Sequence, residues 1–456
     1  MKTITVVGAG LAGSEAVYQL AKRGFAIRWI EMRPKTSTPA HQGDKPAELV
    51  CSNSLRSQDV NNAVGLIKEE MANLDSLIIR AAYKSRVPAG TALAVDRDAF
   101  SDFIDATLSK LPGIERVSDE VVDVETLNPG YRLSLSSGAT LDADILLIAT
   151  GPLTSDALSK WICKQTGEES LYFYDSIAPI IAADSIDMNK AFYASRYDKD
   201  QKEGGDYINC PMSEEQYKEF ITDVTTAEQI EVKDFDKAQY FEGCLPIEVM
   251  AARGEDTLRY GPMKPVGISN PHDPENRPYA VVQLRQDNLH ASLFNMVGFQ
   301  TRMKYPEQKR IFSKIPGLEK AEFERMGSMH RNTYLCSPKV LHEGFEFKSL
   351  PGLHFAGQMT GCEGYVESAA TGLYVGLHLA HSLQGKVLES PPTTTALGAL
   401  VRHILKADPE EYQPMNINFG LFDSIEMRAK KFDRKVHMAK RGIVDFRQWI
   451  YDKVLA

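Results

Sequence analysis

The chain has 456 residues, 43% of them hydrophobic and 25% charged, with a formal net charge of −9. That composition excludes collagenous, disordered and membrane-spanning classes, and the length implies about two to three domains. The acidic balance excludes a protein that coats nucleic acid with its whole surface, so any such contact needs a local basic patch.

In chain order, residues 3–7 (TITVV) are a β-branched run ending at Gly8, and Leu11–Arg23 carries apolar residues at helical spacing. Gly24 stands where a helix C-cap glycine belongs, and FAIRWIE (25–31) follows as a second strand, which makes a right-handed βαβ unit. A Pro- and Thr-containing loop (33–46) leads to the polar segment ELVCSNSLRS (48–57), and the apolar stripe of residues 62–82 predicts one helix. Strand patterns dominate 120–148. Residues 180–328 have mixed character and turn-rich connections such as ISNPHDPENRP (268–278), which predicts an insertion. PGLHFAGQ (351–358) restores the strand-then-glycine pattern before a long helix, and PPTTTA (391–396) is a short linker. The expected fold is α/β: a split Rossmann-like FAD-binding domain (1–180 and 329–456) with a smaller α/β insertion domain (181–328).

Gly8-Ala9-Gly10-Leu11-Ala12-Gly13 fits G-x-G-x-x-G, with a strand before it, a helix after it and Glu31 ending the second strand. The first glycine permits the turn, the second admits a pyrophosphate to the backbone and the third lets helix pack on strand. The helix N-terminus offers free N–H groups to phosphate, and Glu31 is placed to accept hydrogen bonds from ribose. DILLIATG (144–151) and LHFAG (353–357) resemble the second and closing strands of flavin disulfide-reductase-like proteins, with Gln358 where an Asp is usual. Three separated pieces favour FAD in a split domain over NAD in one unit.

Six cysteines (51, 163, 210, 244, 336 and 362) form no CxxC pair, which disfavours a disulfide scaffold and structural zinc. A reduced compartment fits them, the glycines at 8, 10 and 13 break any signal-peptide core, and the cytoplasm is the expected location. His378 and His381 sit three apart among apolar neighbours with no third ligand, so no metal is expected. The one basic concentration is C-terminal: Arg428, Lys430, Lys431, Arg434, Lys435, Lys440, Arg441 and Arg447 against Asp433 and Asp445. Phe432, Phe446 and Trp449 interleave it as rings able to stack on RNA bases.

Long and chemically unusual stretches run almost end to end: GAGLAGSEA, ELVCSNSLRS, PAGTALAVDR, YINCPM, FEGCLPIEVMA, YGPMKPVG, FNMVGFQT, GSMHRNTY and FAGQMTGCEGYVESAATG. On these the sequence resembles the bacterial folate- and FAD-dependent tRNA (uracil-5-)-methyltransferases. The resemblance implies 5,10-methylenetetrahydrofolate as carbon donor, FAD reduced by NAD(P)H, and 5-methyluridine at U54 of the tRNA T-loop. It extends the FAD set to Gly151, Gly357, Gln358 and Gly364, and it implies that His330 stacks on the pterin. Lys264 and Arg285 are candidates for the carboxylates of the folate tail.

C5 of uracil needs a nucleophile added at C6, a role that suits a cysteine thiolate. Cys244, in a Gly- and Pro-flanked turn with Glu242 and Glu248 as base candidates, is the expected nucleophile. Cys51, with Arg56 near it in sequence to lower its pKa, is the second implied thiol, either a proton-transfer partner or a protective one. Rival readings are the same chemistry on ribosomal RNA, an RNA-independent thiol or NAD(P)H flavin oxidoreductase, and a non-catalytic flavoprotein scaffold.

Overall fold

The computed structural model describes residues 2–38, 40–166, 171–197, 205–230, 245–425 and 431–455, with backbone alone for 171–176, 329–333 and 431–432. Its centre is the expected βαβ unit: β1 (Ile4–Val7), α1 (Leu11–Ala21) and β2 (Ile27–Glu31). β1 is buried on both faces, as a central parallel strand must be. It pairs in parallel with β2 (Ile4↔Ile27) and with the strand Ile145–Ile148 (Ile4↔Ile145). The strands Leu353–Phe355 and Ile114–Ser118 extend this parallel sheet on either side, and two short strands at 341–347 finish one edge of its seven.

All eleven residues of α1 are buried, because the helix Tyr365–Leu383 covers its outer face. Gly372 and Gly376 make that approach possible: a Cβ on Gly372 would lie 2.2 Å from the Ala12 carbonyl oxygen. Residues 62–82 are two helices rather than one. α2 (Ala63–Asn73) ends at Leu74, Asp75 turns with φ 56°, and Ser76 caps the helix Leu77–Lys84 by accepting from the Ile79 N–H at 3.2 Å. The buried Glu15 carboxylate of α1 also accepts there, from Ser76 Oγ at 2.7 Å and the Ile78 N–H at 3.0 Å. A carboxylate 61 residues away in sequence fixes the break.

The chain leaves the parallel sheet along the strand Leu171–Ile177 and returns along Ser328–Tyr334, which pair antiparallel from Leu171↔Tyr334 to Ile177↔Ser328. Between them a six-stranded antiparallel sheet packs its own core, including Ile208, Cys210, Val282, Leu284 and Phe294. The opposite face of its central strands Tyr207–Met212 and Ala280–Gln286 carries Tyr207, Asn209, Gln283 and Arg285 toward the βαβ body. Among the described residues no helix is long and apolar enough to cross a membrane.

Candidate functional site

The glycine-rich turn opens onto a cleft enclosing about 1020 Å³ of empty space, open to solvent. Its walls come from three distant segments, residues 7–12, 149–155 and 357–368, together with Glu31 and the loop after it. Gly8, Ala9, Gly10, Leu11, Ala12, Glu31, Gly151, Gly357 and Gln358 all line it, as the motif reading requires. Gly13 lies beneath instead: a Cβ there would fall 2.0 Å from the Gly8 carbonyl oxygen, so this glycine serves packing. Gly364 stands next to the lining residue Tyr365. It is not a lining residue; with φ +108° it heads the helix Tyr365–Leu383, against the Glu367 carboxylate.

Gly10 tests what the cleft is shaped for. Its φ of −72° suits any residue, and a Cβ would meet nothing within 4 Å. Among the described residues no atom demands glycine there, whereas a pyrophosphate seated on the N-terminus of α1 would. The residues therefore fit a dinucleotide.

Glu31 ends β2 with one oxygen accepting from the Ala9 N–H at 2.7 Å and the other from Arg33 Nε at 2.9 Å. Burial alone would raise its pKa, but the Arg33 guanidinium and these hydrogen bonds hold it below the usual value. Arg33 is buried and reaches on to Glu48 at 3.0 Å, whose carboxylate gathers the Gln42 and Gly43 N–H groups. This carboxylate–guanidinium–carboxylate chain folds residues 33–48 over one end of the cleft, bringing in Thr38 and His41. In sequence this stretch reads as a plain loop, and the Glu31-x-Arg33 spacing is the one signal of its fold. Burial pushes His41 down to about 4, so the ring in the cleft is neutral.

Cys51 is tied to the cleft through Tyr365. Tyr365, which lines the cleft, accepts through its Oη from the Cys51 N–H at 2.7 Å and the Ser52 N–H at 3.0 Å. From the opposite side Arg97 donates to the carbonyls of Leu49 and Cys51. The ion pair of Arg56, read above as the cation acting on Cys51, goes to the buried Glu367. The guanidinium groups in electrostatic reach of the Cys51 thiol are those of Arg97, Arg285 and Arg325. Arg285 is buried, and its Nε donates to Asn53 Oδ1 at 2.9 Å, two residues from Cys51. Lys264 lies half-buried in the turn before the strand Ala280–Gln286.

Cys244 and Glu242 lie outside the described residues, as do Arg428 and Lys430. His330 is opposite Asp175 on the two-stranded ribbon, its side chain not described. Glu248 is 2% exposed with both oxygens engaged, by Thr301 Oγ1 at 2.9 Å and the Arg302 N–H at 2.8 Å. That gives it an anchoring post for the helix Ile247–Ala252 rather than the open approach of a base. Cys210, Cys336 and Cys362 are buried, and burial pushes the Cys362 thiol up to about 12.

The basic run forms the helix Lys431–Trp449. Arg434 and Lys440 are exposed and Lys435 is half-exposed, while Arg441 donates to the carbonyls of Asp423 and Ser424. Two of its aromatic residues are corrected: Phe446 (1% exposed) and Trp449 (4%) join the main core and offer no face to a base.

The family model described as glucose inhibited division protein A, GIDA, matches residues 3–387. The chain is 52% identical over 455 residues to the methylenetetrahydrofolate–tRNA-(uracil-5-)-methyltransferase TrmFO of Magnetococcus marinus, covering 99% of this chain and 100% of that protein. The proteins of the same name from Geotalea daltonii (51%, 98% of each chain) and Lactobacillus acidophilus (51%, 97% of each) are similar to the same extent. GidA of Aquifex aeolicus, in its form II crystal, superposes with a TM-score of 0.70 at 15% identity, covering 98% of this chain and 73% of that one, a likeness of fold.

Proposed function

The chain belongs to the methylenetetrahydrofolate–tRNA-(uracil-5-)-methyltransferases of the GIDA family, and we propose that it forms 5-methyluridine at U54 of the tRNA T-loop. The observation that carries this reading is the seat of Cys51: its backbone is held by Tyr365 of the dinucleotide cleft and by Arg97, which is itself ion-paired to Asp287 of the inserted domain.

Residues 1–180 and 329–456 are taken as the two parts of the FAD-binding body and 181–328 as the domain that closes on Cys51. Residues 8–13, 31, 151, 357, 358 and 364 would hold FAD, which when bound and reduced by NAD(P)H would supply the hydride that completes the methyl group. The Cys244 thiolate adds to C6 of uracil, which raises electron density at C5 so that this carbon takes the one-carbon unit from methylenetetrahydrofolate. Loss of the C5 proton with release of tetrahydrofolate breaks the carbon–nitrogen bond and leaves a methylene on C5; hydride uptake at that carbon makes the methyl group, and expulsion of the Cys244 thiolate restores the C5–C6 double bond. Cys51 is the second thiol of the site, with the guanidinium groups of Arg97, Arg285 and Arg325 around it. His330 stacks on the pterin, and Lys264 and Arg285 supply positive charge for the folate tail. Arg434, Lys435 and Lys440, with Arg428, Lys430, Lys431 and Arg441 of the same run, contact tRNA phosphates. The protein works in the cytoplasm.

The test is incorporation of label from methylenetetrahydrofolate into an unmodified tRNA transcript with FAD and NAD(P)H. Wild type labels the transcript, the U54→C transcript stays unlabelled, and Cys244→Ala abolishes incorporation. Label in ribosomal RNA alone, or NAD(P)H oxidation with no label in RNA, overturns the reading.

A further inference from the structure

Tyr197 adopts φ 61°, in the left-handed region that a bulky residue rarely occupies. Its N–H donates to the Gly267 carbonyl at 2.9 Å, and its ring lies against that same glycine, where a Cβ would fall 2.9 Å from the ring carbons. Gly267, itself at φ +82°, thus clears the space the ring fills. The preceding residue fixes the arrangement. Arg196 donates through Nη1 to the Val266 carbonyl at 2.9 Å and through Nε to Gln283 Oε1 at 3.1 Å. Gln283 in turn donates to Asn209 Oδ1 at 2.9 Å, and Asn209 to the Ala194 carbonyl at 3.0 Å.

All this holds in place a side chain that is 66% exposed. Burial does not account for it, since an aromatic residue fixed for packing would be covered. A strained backbone conformation persists where surrounding contacts over-determine it, and such positions cluster at functional sites. The location agrees. Gln283 and Arg285 project from the same face of one strand, opposite Asn209 and Tyr207 on its neighbour. Gln283 holds Arg196 at the outer end of this row, and Arg285 holds Asn53 beside Cys51 at the inner end. The platform therefore lies at the outer end of the polar row that leads to the candidate catalytic thiol, with Arg196 adding positive charge beside it.

We infer that Tyr197 is a stacking platform for a splayed-out nucleobase of the RNA substrate. This rests on the tRNA reading above. A ring presents its π-face to any base, and a neighbouring cation suits the phosphates that come with it. RNA is favoured over the pterin because the platform lies at the outer end of the row and is open to solvent.

The experiment measures tRNA affinity, steady-state constants and Tm for FAD-loaded wild type, Tyr197→Phe, Tyr197→Ala and Tyr197→Gly. Base stacking on an aromatic corresponds to roughly a 5- to 150-fold change in affinity. Tyr197→Ala and Tyr197→Gly are expected to weaken tRNA binding within that range, with the slope of log Kd against log salt unchanged because no charge is lost. Tyr197→Phe is expected to bind as wild type, and the KM for methylenetetrahydrofolate to stay constant. Tyr197→Gly is expected to melt at or above wild type, since glycine is at ease at this φ. Unchanged tRNA affinity with an active wild type overturns the inference, as does a change confined to the folate KM or a Tm loss of several degrees in Tyr197→Gly. A wild type that labels no tRNA fails the functional reading itself, and the inference falls with it.

Discussion

Arg97 of the nucleotide-binding body and Asp287 of the inserted domain form a two-pronged ion pair, Nε to Oδ2 at 3.0 Å and Nη2 to Oδ1 at 3.3 Å. The same guanidinium reaches the carbonyls of Leu49 and Cys51, so one side chain ties the inserted domain to the thiol-bearing loop. Neighbouring Asp96 adds a second tie by accepting from the Leu289 N–H at 2.8 Å. Lysine keeps the charge but not the planar fork, so Arg97→Lys separates charge from placement. Arg97→Lys is expected to keep most of the stability while the single-turnover methylation rate falls about 10- to 100-fold, because small misplacements are costly to rate. Arg97→Ala leaves Asp287 buried without its partner and is expected to lose roughly 3–5 kcal/mol by urea unfolding. A wild-type rate in Arg97→Lys would show that Cys51 does not depend on the fork.

Two glycines of one motif are expected to fail in opposite ways. Ala at position 10 meets no protein atom and its φ is ordinary, so stability should hold or rise by about 0.4–1 kcal/mol. The methyl group projects into the cleft, and FAD retention, read from flavin absorbance after gel filtration, should fall at least about tenfold if the pyrophosphate seats there. Gly13→Ala drives a Cβ toward the Gly8 carbonyl and is expected to lose about 1–3 kcal/mol or more through overpacking. Full FAD retention by Gly10→Ala would contradict the phosphate seat.

What the sequence made legible was local. β1, α1 and β2, with the glycines between them, follow from periodicity over about thirty residues, and the structure returns them within a few residues. The closing strand before Gly357 was legible for the same reason. Long-range facts were not. The break at Asp75 depends on Glu15, the fold of residues 33–48 depends on an arginine held between two carboxylates, and Arg285 is buried because another domain supplies Asn53. A glycine that starts a helix, as Gly364 does, and one that admits a ligand look alike in a string of letters. The same ambiguity misplaced Phe446 and Trp449: helical spacing marks rings on one face without saying whether that face meets RNA or core.

His354, on the closing strand, sets an acid limb of stability. The ring is 4% exposed and Nδ1–H donates to the Gly344 carbonyl at 3.0 Å, and burial pushes its pKa down to about 4 from an ordinary 6.5. The unfolded chain then binds the extra proton between these values, so stability is full above about pH 6.5 and is lost as pH falls toward 4. The loss amounts to as much as roughly 3 kcal/mol. His41 contributes with the same sign, so the difference between wild type and His354→Asn isolates the one ring. Asn can donate to Gly344 without titrating, and its Tm-versus-pH curve is expected to be flatter between pH 4 and 6.5. Parallel curves for the two proteins would exclude His354 as the source.

The C-terminal helix has a core face and a basic solvent face, and they should come apart on mutation. Phe446 and Trp449 face the core, where Trp449 Nε1 also donates to the Glu389 carbonyl at 2.9 Å. Removing a buried aromatic side chain costs about 3–5 kcal/mol, so Phe446→Ala is expected to lower Tm sharply. Arg434 and Lys440 are on the solvent side, and Arg434→Gln/Lys440→Gln is expected to leave stability within about 0.5 kcal/mol. If these two cations meet tRNA phosphates, their loss releases fewer counterions on binding. The slope of log affinity against log salt should then shrink by about 1.4–1.8, the contribution of two phosphate contacts. An unchanged slope would assign the basic face to solvation and leave tRNA capture to the inserted domain.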